Sequence, residues 1–238
     1  MLWLYWYYFK INISPEFSKG LCLLKLYTKA STKLTVLAFE KGYVALMPSL
    51  KFMKTGEVIR EFVAKDGRKV ILMTLKWEDL DDLLDFINSL VEEGANILKT
   101  EKVSRDEEVE WLSGVFKRLE RGEIFCVAAE VDGHVVANSD IVRGFGYSRH
   151  VGFIGIAIKK GFRGIGIGTE MMKALEEYAR KMGLKVLALS VFANNQHAIN
   201  LYRKMGFVET GRIPKRFFKD GAYIDEIIMT KMLVQPEG

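Results

Sequence analysis

Residues 151–158, VGFIGIAI, carry no charge, and after four intervening residues the chain enters Arg163-Gly164-Ile165-Gly166-Ile167-Gly168-Thr169. A nearly continuous apolar run of this length fits a central strand buried on both faces of a sheet. The glycine-rich loop opens a helix whose Met172, Leu175, Ala179 and Met182 share one face, with Gly183 as its C-terminal stop. Residues 184–191 then read as a second strand, parallel to the first because a helical crossover joins them. A strand–loop–helix–strand unit of this kind makes the chain α/β.

The loop has its own chemistry. Glycines remove Cβ atoms, so backbone N–H groups can converge on an anion, and a helix N-terminus adds a favourable dipole. A phosphate or pyrophosphate is the natural guest. Glycines that merely permit a tight strand-to-helix turn are the alternative. A P-loop would need Gly-Lys-Ser/Thr, yet no lysine follows Arg163 in this loop. A dinucleotide-binding fingerprint would need GxGxxG near the start of a βαβ repeat, whereas here the spacing is GxGxG.

The residues upstream of the strand also argue against those nucleotide folds, because they read as several antiparallel strands. Residues 57–64 and 69–75 flank Asp66-Gly67, a strong hairpin turn signal. Trp77 leads through Glu78 and Asp79 into a helix with Leu80, Leu83, Leu84, Ile87, Leu90 and Val91 at helical spacing, ending at Gly94. A second amphipathic helix, over about 106–119, turns Val109, Leu112, Val115, Phe116 and Leu119 inward and stops at Arg121-Gly122. Residues 124–131 and 135–142 flank Asp132-Gly133 as a second hairpin.

Charge divides the chain in two. The whole carries +5, and residues 1–51 alone, with seven lysines against Glu16 and Glu40, also carry +5. The remainder therefore sums to zero, and no basic field of the kind a nucleic-acid binder needs is built into it. Cys22 and Cys126 are too few for a disulfide framework, and no Cys-x-x-Cys pair suggests zinc, so no metal is expected. A reducing cytoplasm is the simplest compartment.

The basic, aromatic-rich segment 1–52 opens with MLWLYWYYF, an apolar run ended by Lys10. That is about half of the roughly 20 residues a membrane helix needs, so no integral membrane span is expected. Turn signals at Ser14-Pro15, Lys19-Gly20 and Ser31-Thr32-Lys33 separate short apolar stretches at 21–27 and 34–39. Three readings stand: short accessory strands, a translated upstream region with synthesis starting at Met47 or Met53, and a peripheral membrane anchor. Residues 53–238 form the main domain.

After the second parallel strand comes V-F-A-N-N-Q-H-A-I-N-L-Y-R-K-M-G-F, in which Asn194-Asn195 caps a short helix, 196–205, ended by Gly206. Here the chain resembles the Gcn5-related N-acetyltransferase superfamily. Arg163, Gly166 and Gly168 match its loop, Arg/Gln-x-x-Gly-x-Gly/Ala. Asn195, Ala198, Leu201, Tyr202, Gly206 and Phe207 match its second motif, about thirty residues on. The likeness covers roughly residues 68–233, because the hairpins, helices and a final strand near 223–233 follow the family's order.

The resemblance implies a mixed, mostly antiparallel sheet flanked by helices, with two strands splayed around an acetyl-CoA cleft. Acetyl-CoA would be the co-substrate. Gly164, Ile165, Gly166, Ile167, Gly168 and Thr169, with Arg163, would hold its pyrophosphate. The free edge at Ile156, Ala157 and Ile158 would pair with the pantetheine arm and polarise the thioester carbonyl. Asn195 would bond the pantetheine or order the cleft wall, besides serving as an N-cap. Tyr202 would protonate the leaving thiolate; spacing alone favours a core tyrosine with its hydroxyl satisfied locally, and it is the resemblance that reverses this. The acceptor would be a primary amine, on a small molecule or a protein, attacking directly in a ternary complex. A homodimer is compatible with the family, and Cys126 reads as structural.

The base is where this chain departs from its relatives. Many carry Glu in an H-x-x-E pattern, yet His150-Val151-Gly152-Phe153 ends in Phe. Ribosomal-protein alanine acetyltransferases carry Glu five residues before the motif Asn, where this chain has Ser190. His150, Asp225 and Glu226 are the remaining candidates. His134 and His197 lack metal-ligand partners at a useful spacing and read as solvated. Lys215-Arg216-Phe217-Phe218 reads as part of a hairpin turning at Asp220-Gly221, bordering the acceptor site. Two rival readings remain: a non-catalytic acyl-CoA-binding regulatory module on the same fold, and a nucleotide-binding protein using the glycine loop.

Overall fold

The computed structural model describes residues 55–233 and the backbone of two N-terminal strands, β1 (Cys22–Leu26) and β2 (Leu34–Ala38). The chain forms two compact units, one of which is Trp3–Phe52. Within that unit β1 and β2 pair antiparallel, Cys22 opposite Ala38 and Leu26 opposite Leu34. The aromatic run 1–9 lies outside the described residues.

The main unit is an eight-stranded sheet: β3 (Val58–Val63), β4 (Lys69–Met73), β5 (Ile124–Val131), β6 (His134–Arg143), β7 (Val151–Ile158), β8 (Val186–Phe192), β9 (Val208–Lys219) and β10 (Ala222–Met232). Their order across the sheet is β3-β4-β5-β6-β7-β8-β10-β9. Every pair is antiparallel except β7 and β8. Gly67 (φ +90°) turns the first hairpin, and Asp132 (φ 52°) with Gly133 (φ 82°) turns the second, the left-handed pairing that tight hairpins require. The sheet is thus mixed and mostly antiparallel, with the one parallel pair reached through a helix.

Four helices cover it: α1 (Leu80–Glu92), α2 (Arg105–Glu120), α3 (Ile167–Lys181) and α4 (Gln196–Lys204). Ser104 starts α2 with a capping box, accepting from Glu107 N at 3.3 Å while Glu107 Oε2 accepts from Ser104 N at 2.8 Å. On α1 the buried side chains are Leu80, Leu83, Phe86 and Leu90. Leu84, Ile87 and Val91 are only half-buried, so Phe86 shares the inner face that spacing had given to them.

Alternation along the strands splits the core in two. On one face Val70, Leu72, Phe125, Val127 and Ile141 pack with Met171, Met172 and Leu175 of α3 and with Ile199 and Tyr202 of α4. On the other, Ile124, Cys126, Ala128 and Val135 pack with Leu80 and Leu83 of α1 and Leu112 and Val115 of α2. Cys126 is a buried free thiol of this second core.

Candidate active site

Strand β7 is central in the sheet, yet it is paired on both edges only at its beginning. Its parallel pairing with β8 consists of Val151 opposite Val186, Gly152 opposite Leu187 and Phe153 opposite Ala188, and then stops. Beyond that point β7 stays on β6 up to Ile158, while β8 stays on β10 up to Phe192. Two partners pulling in different directions open a wedge between them. Ile154 is buried, whereas Gly155, Ile156, Ala157 and Ile158 are only half-buried, which corrects the expectation of a strand enclosed along its whole length. Backbone groups on two facing strand edges are left inside the wedge, where an extended amide-bearing ligand can pair with them.

The glycine loop closes the wide end. Gly164 (φ +78°) and Gly166 (φ +107°) hold left-handed conformations open to glycine, and Gly166 is the N-cap of α3. Gly168 is constrained differently: an added Cβ would lie 3.0 Å from Leu201 Cδ2 and 3.2 Å from Ile158 Cδ1, so its missing side chain lets α4 lean on the start of α3. Thr169 N donates to Gly166 O at 3.0 Å, which places that amide within the helix. Among the described residues, the amides of Gly164, Ile165, Gly166, Ile167 and Gly168 donate to nothing. Five consecutive free N–H groups at the positive end of a 15-residue helix form an anion cradle.

The loop is braced from outside. Arg163 Nε donates to Ile158 O at 2.8 Å, and its guanidinium pairs with Glu93 just after α1. From the β3–β4 hairpin, Lys65 N donates to Ile165 O at 3.0 Å. Arg68 Nη2 donates to Gly161 O at 2.7 Å while its guanidinium lies 4.3 Å from the Phe162 ring centroid. The α1–α2 connection reaches the far wall. Lys219 Nζ donates to Gly94 O and, at 3.0 Å, to Asn96 Oδ1; Asn96 Nδ2 donates to Asn194 Oδ1 at 3.3 Å.

Helix α4 brings the second motif to the same wedge. Asn195 Oδ1 accepts from Ala198 N at 3.2 Å, so the capping role is realised. Tyr202 is 6% exposed, with its ring 6.2 Å from that of Phe207. Its hydroxyl makes no hydrogen bond among the described residues, so the local satisfaction a core tyrosine would seek is missing. Burial raises its pKa well above the ordinary phenol value, and the proton stays on at neutral pH.

The three base candidates fare differently. His150 is exposed at the start of β7, where its carbonyl accepts from Lys185 N at 2.8 Å; this is the closed end of the wedge. Asp225 accepts from Lys215 N at 2.9 Å and Arg212 Nη1 at 3.2 Å, and these bonds hold its carboxyl below the ordinary range. Glu226 is fully buried, 3.4 Å from Arg216 Nε, on β10 opposite Phe192. Phe192 stacks on Phe217 at 3.8 Å, and this aromatic pair walls the side away from α3.

The family model described as "Acetyltransferase (GNAT) family" matches residues 84–207, just over half of the chain. The chain belongs to the GNAT acetyltransferase family. It is an N-acetyltransferase. It is 28% identical over 153 residues to the L-methionine sulfoximine/L-methionine sulfone acetyltransferase of Pseudomonas paraeruginosa, covering 63% of this chain and 87% of that one. Among solved structures, a ribosomal-protein-alanine N-acetyltransferase from Brucella melitensis superposes with a TM-score of 0.61 at 29% identity, covering 68% of this chain and 99% of that one. A GNAT phosphinothricin acetyltransferase from Sinorhizobium meliloti, solved with acetyl-CoA, superposes with a TM-score of 0.62 at 20% identity over 69% of this chain and 88% of that one. That last likeness carries the fold alone.

Within this GNAT fold, the sequence motifs located the loop, the free edge and α4 together. They did not point to the bracing residues Lys65, Arg68 and Glu93, whose partners lie about 70 to 100 positions away in sequence. Nor did they single out Asp140, a carboxyl facing the wedge's neighbour strand and carrying a pKa of about 7 through burial.

Proposed function

We propose that acetyl-CoA lies in the wedge between β7 and β8 and gives its acetyl group to the primary amine of a small, amino-acid-like molecule. The five free amides from Gly164 to Gly168 carry this reading, because a pyrophosphate needs converging donors and they have no other acceptor among the described residues. Arg163 and Thr169 shape the cradle. The pantetheine amides pair with the open edge at Ile156, Ala157 and Ile158, and an N–H of that edge polarises the thioester carbonyl. Asn195 orders the wall by fixing the start of α4.

The amine nitrogen attacks the carbonyl carbon in a ternary complex, the carbon–sulfur bond breaks, and the Tyr202 hydroxyl delivers its proton to the departing thiolate. A thiol ordinarily holds its proton near pKa 8.5, so transfer from a phenol raised above 10 runs only in concert with proton loss from the nitrogen. The small-acceptor reading is supported by the relative named for methionine sulfoximine and sulfone.

Calorimetric titration with acetyl-CoA, followed by a thiol-release assay over amino acids, methionine sulfoximine, polyamines and peptides with free α-amines, tests it. Binding with release driven by a small amine is expected. Release driven only by peptides would overturn the acceptor class; binding without any release would favour a regulatory acyl-CoA module. No binding would remove the cradle.

A further inference from the structure

The face of β6 turned towards α1 and α2 holds two polar side chains in what is otherwise an apolar layer. Cys126, Asp140 and Gly155 stand in one row across β5, β6 and β7, and Ala128, Asn138 and Ala157 in the next. Both rows end on the stretch of β7 that borders the wedge. Gly155 matters here: a Cβ on it would sit 2.7 Å from Asp140 Oδ1, so the absent side chain is what lets the carboxylate lean over the strand. Asn138 Oδ1 is buried with no hydrogen-bond partner, and the Asp140 carboxylate makes no hydrogen bond among the described residues. Two unpartnered acceptors, two residues apart on one strand face, match a donor-rich guest such as an ammonium group.

We propose that Asp140 is the general base of the acetyl transfer, a catalytic residue that receives the acceptor's proton while Asn138 orients the same nitrogen. The proposal rests on acetyl-CoA lying in the wedge. The acceptor ammonium gives one proton to the Asp140 carboxylate, which passes it to water. The neutral nitrogen then bonds to the carbonyl carbon, the carbon–sulfur bond breaks, and the second nitrogen proton replaces the one Tyr202 hands to sulfur. Acid and base thus approach from opposite faces of the sheet, Tyr202 from the α3–α4 side and Asp140 from the α1–α2 side. This supplies the proton acceptor that Phe153 and Ser190 do not.

The surroundings suit the role. Burial raises the carboxyl to about 7, while Arg118 of α2 acts in the opposite direction. Burial pushes up the Cys126 thiol on β5, and Asp140 adds to the rise. Strand β7 has no titratable side chain. The carboxylates of α1 are engaged elsewhere: Asp81 with Arg105, Asp82 with His134 and Val135 N, Asp85 with Lys159. On β6 itself, Arg143 donates to Met182 O at 2.6 Å. A base poised near neutrality is the efficient one at neutral pH.

The test compares wild type with Asp140→Asn in two reactions, acetyl transfer to the best amine of the panel and slow hydrolysis of acetyl-CoA by water, each across pH 5.5–9. A drop of roughly 10²- to 10⁴-fold in kcat/KM at pH 7 is expected, with loss of the limb near pH 7 and unchanged acetyl-CoA affinity. Hydroxylamine, whose nitrogen is already neutral at pH 7, should lose much less, which a merely structural role would not produce. A change under threefold with the limb intact overturns Asp140 and leaves the acceptor reading standing. If no small amine is acetylated but hydrolysis falls in the variant, the acceptor reading fails and Asp140 stands. A wild type that releases no thiol in either reaction overturns both.

Discussion

Gly166 and Gly168 are both glycine, for unrelated reasons. Gly166 needs its left-handed φ of +107° and has open space where a Cβ would go; Gly168 has ordinary backbone but no room beside Leu201 and Ile158. Gly166→Val should therefore strain the backbone by about 1–3 kcal/mol and weaken acetyl-CoA binding at least tenfold by calorimetry. Gly168→Val should act through packing, pushing α4 off α3 at a cost of about 1–3 kcal/mol in denaturant unfolding. Tyr202→Phe removes only a hydroxyl that makes no hydrogen bond among the described residues, so folding and acetyl-CoA affinity should hold. Turnover should fall roughly 10²- to 10⁴-fold, and an unchanged rate would falsify Tyr202 as the acid. The motif spacing made these residues legible. What spacing left open was whether Tyr202 had a local partner, which depends on everything packed around α4.

At the scale of elements, helix ends were readable because their chemistry is local. Ser104 with Glu107, Gly183 after α3 and Asn195 before α4 all act within a few residues of themselves. Asn195→Ala removes the one side-chain cap of α4 and should cost about 1 kcal/mol. Because α4 carries Tyr202, kcat should fall further than acetyl-CoA affinity in the same variant. Helix α2 has a different liability, Glu108, 6% exposed and raised to about 7 by burial, with Lys99 opposing and Glu107 reinforcing. A carboxyl raised on folding binds protons more readily in the native state than in the unfolded one between its ordinary value of 4.5 and about 7. Stability therefore falls as pH rises through that window and levels off above it. Glu108→Gln should match wild type near pH 4.5 and exceed it by on the order of 1–3 kcal/mol at pH 8, read from thermal melts. Sequence periodicity gave no warning, since a glutamate on a helix reads as solvated.

For the whole molecule, the decisive feature is a sheet whose central parallel pair lasts three residues before its strands part. The residues that build both described cores all belong to the main unit, and a chain beginning at Met53 should fold and keep acetyl-CoA-dependent thiol release within about twofold of the full chain. Loss of folding on removing residues 1–52 would instead make that segment part of the domain. No helix among the described residues is long and apolar enough to cross a membrane. The sequence by itself determined the α/β class, the order of the hairpins and helices, the loop with its glycines, and the pairing of two motifs that marks the family. Those features follow from periodicity and from contacts a few residues apart. Only the tertiary structure decided how far β7 and β8 stay together, that five loop amides remain without acceptors among the described residues, and that Asp140 leans into the space Gly155 leaves. Each depends on which strand becomes whose neighbour, and that is settled by the packing of residues far apart in the chain.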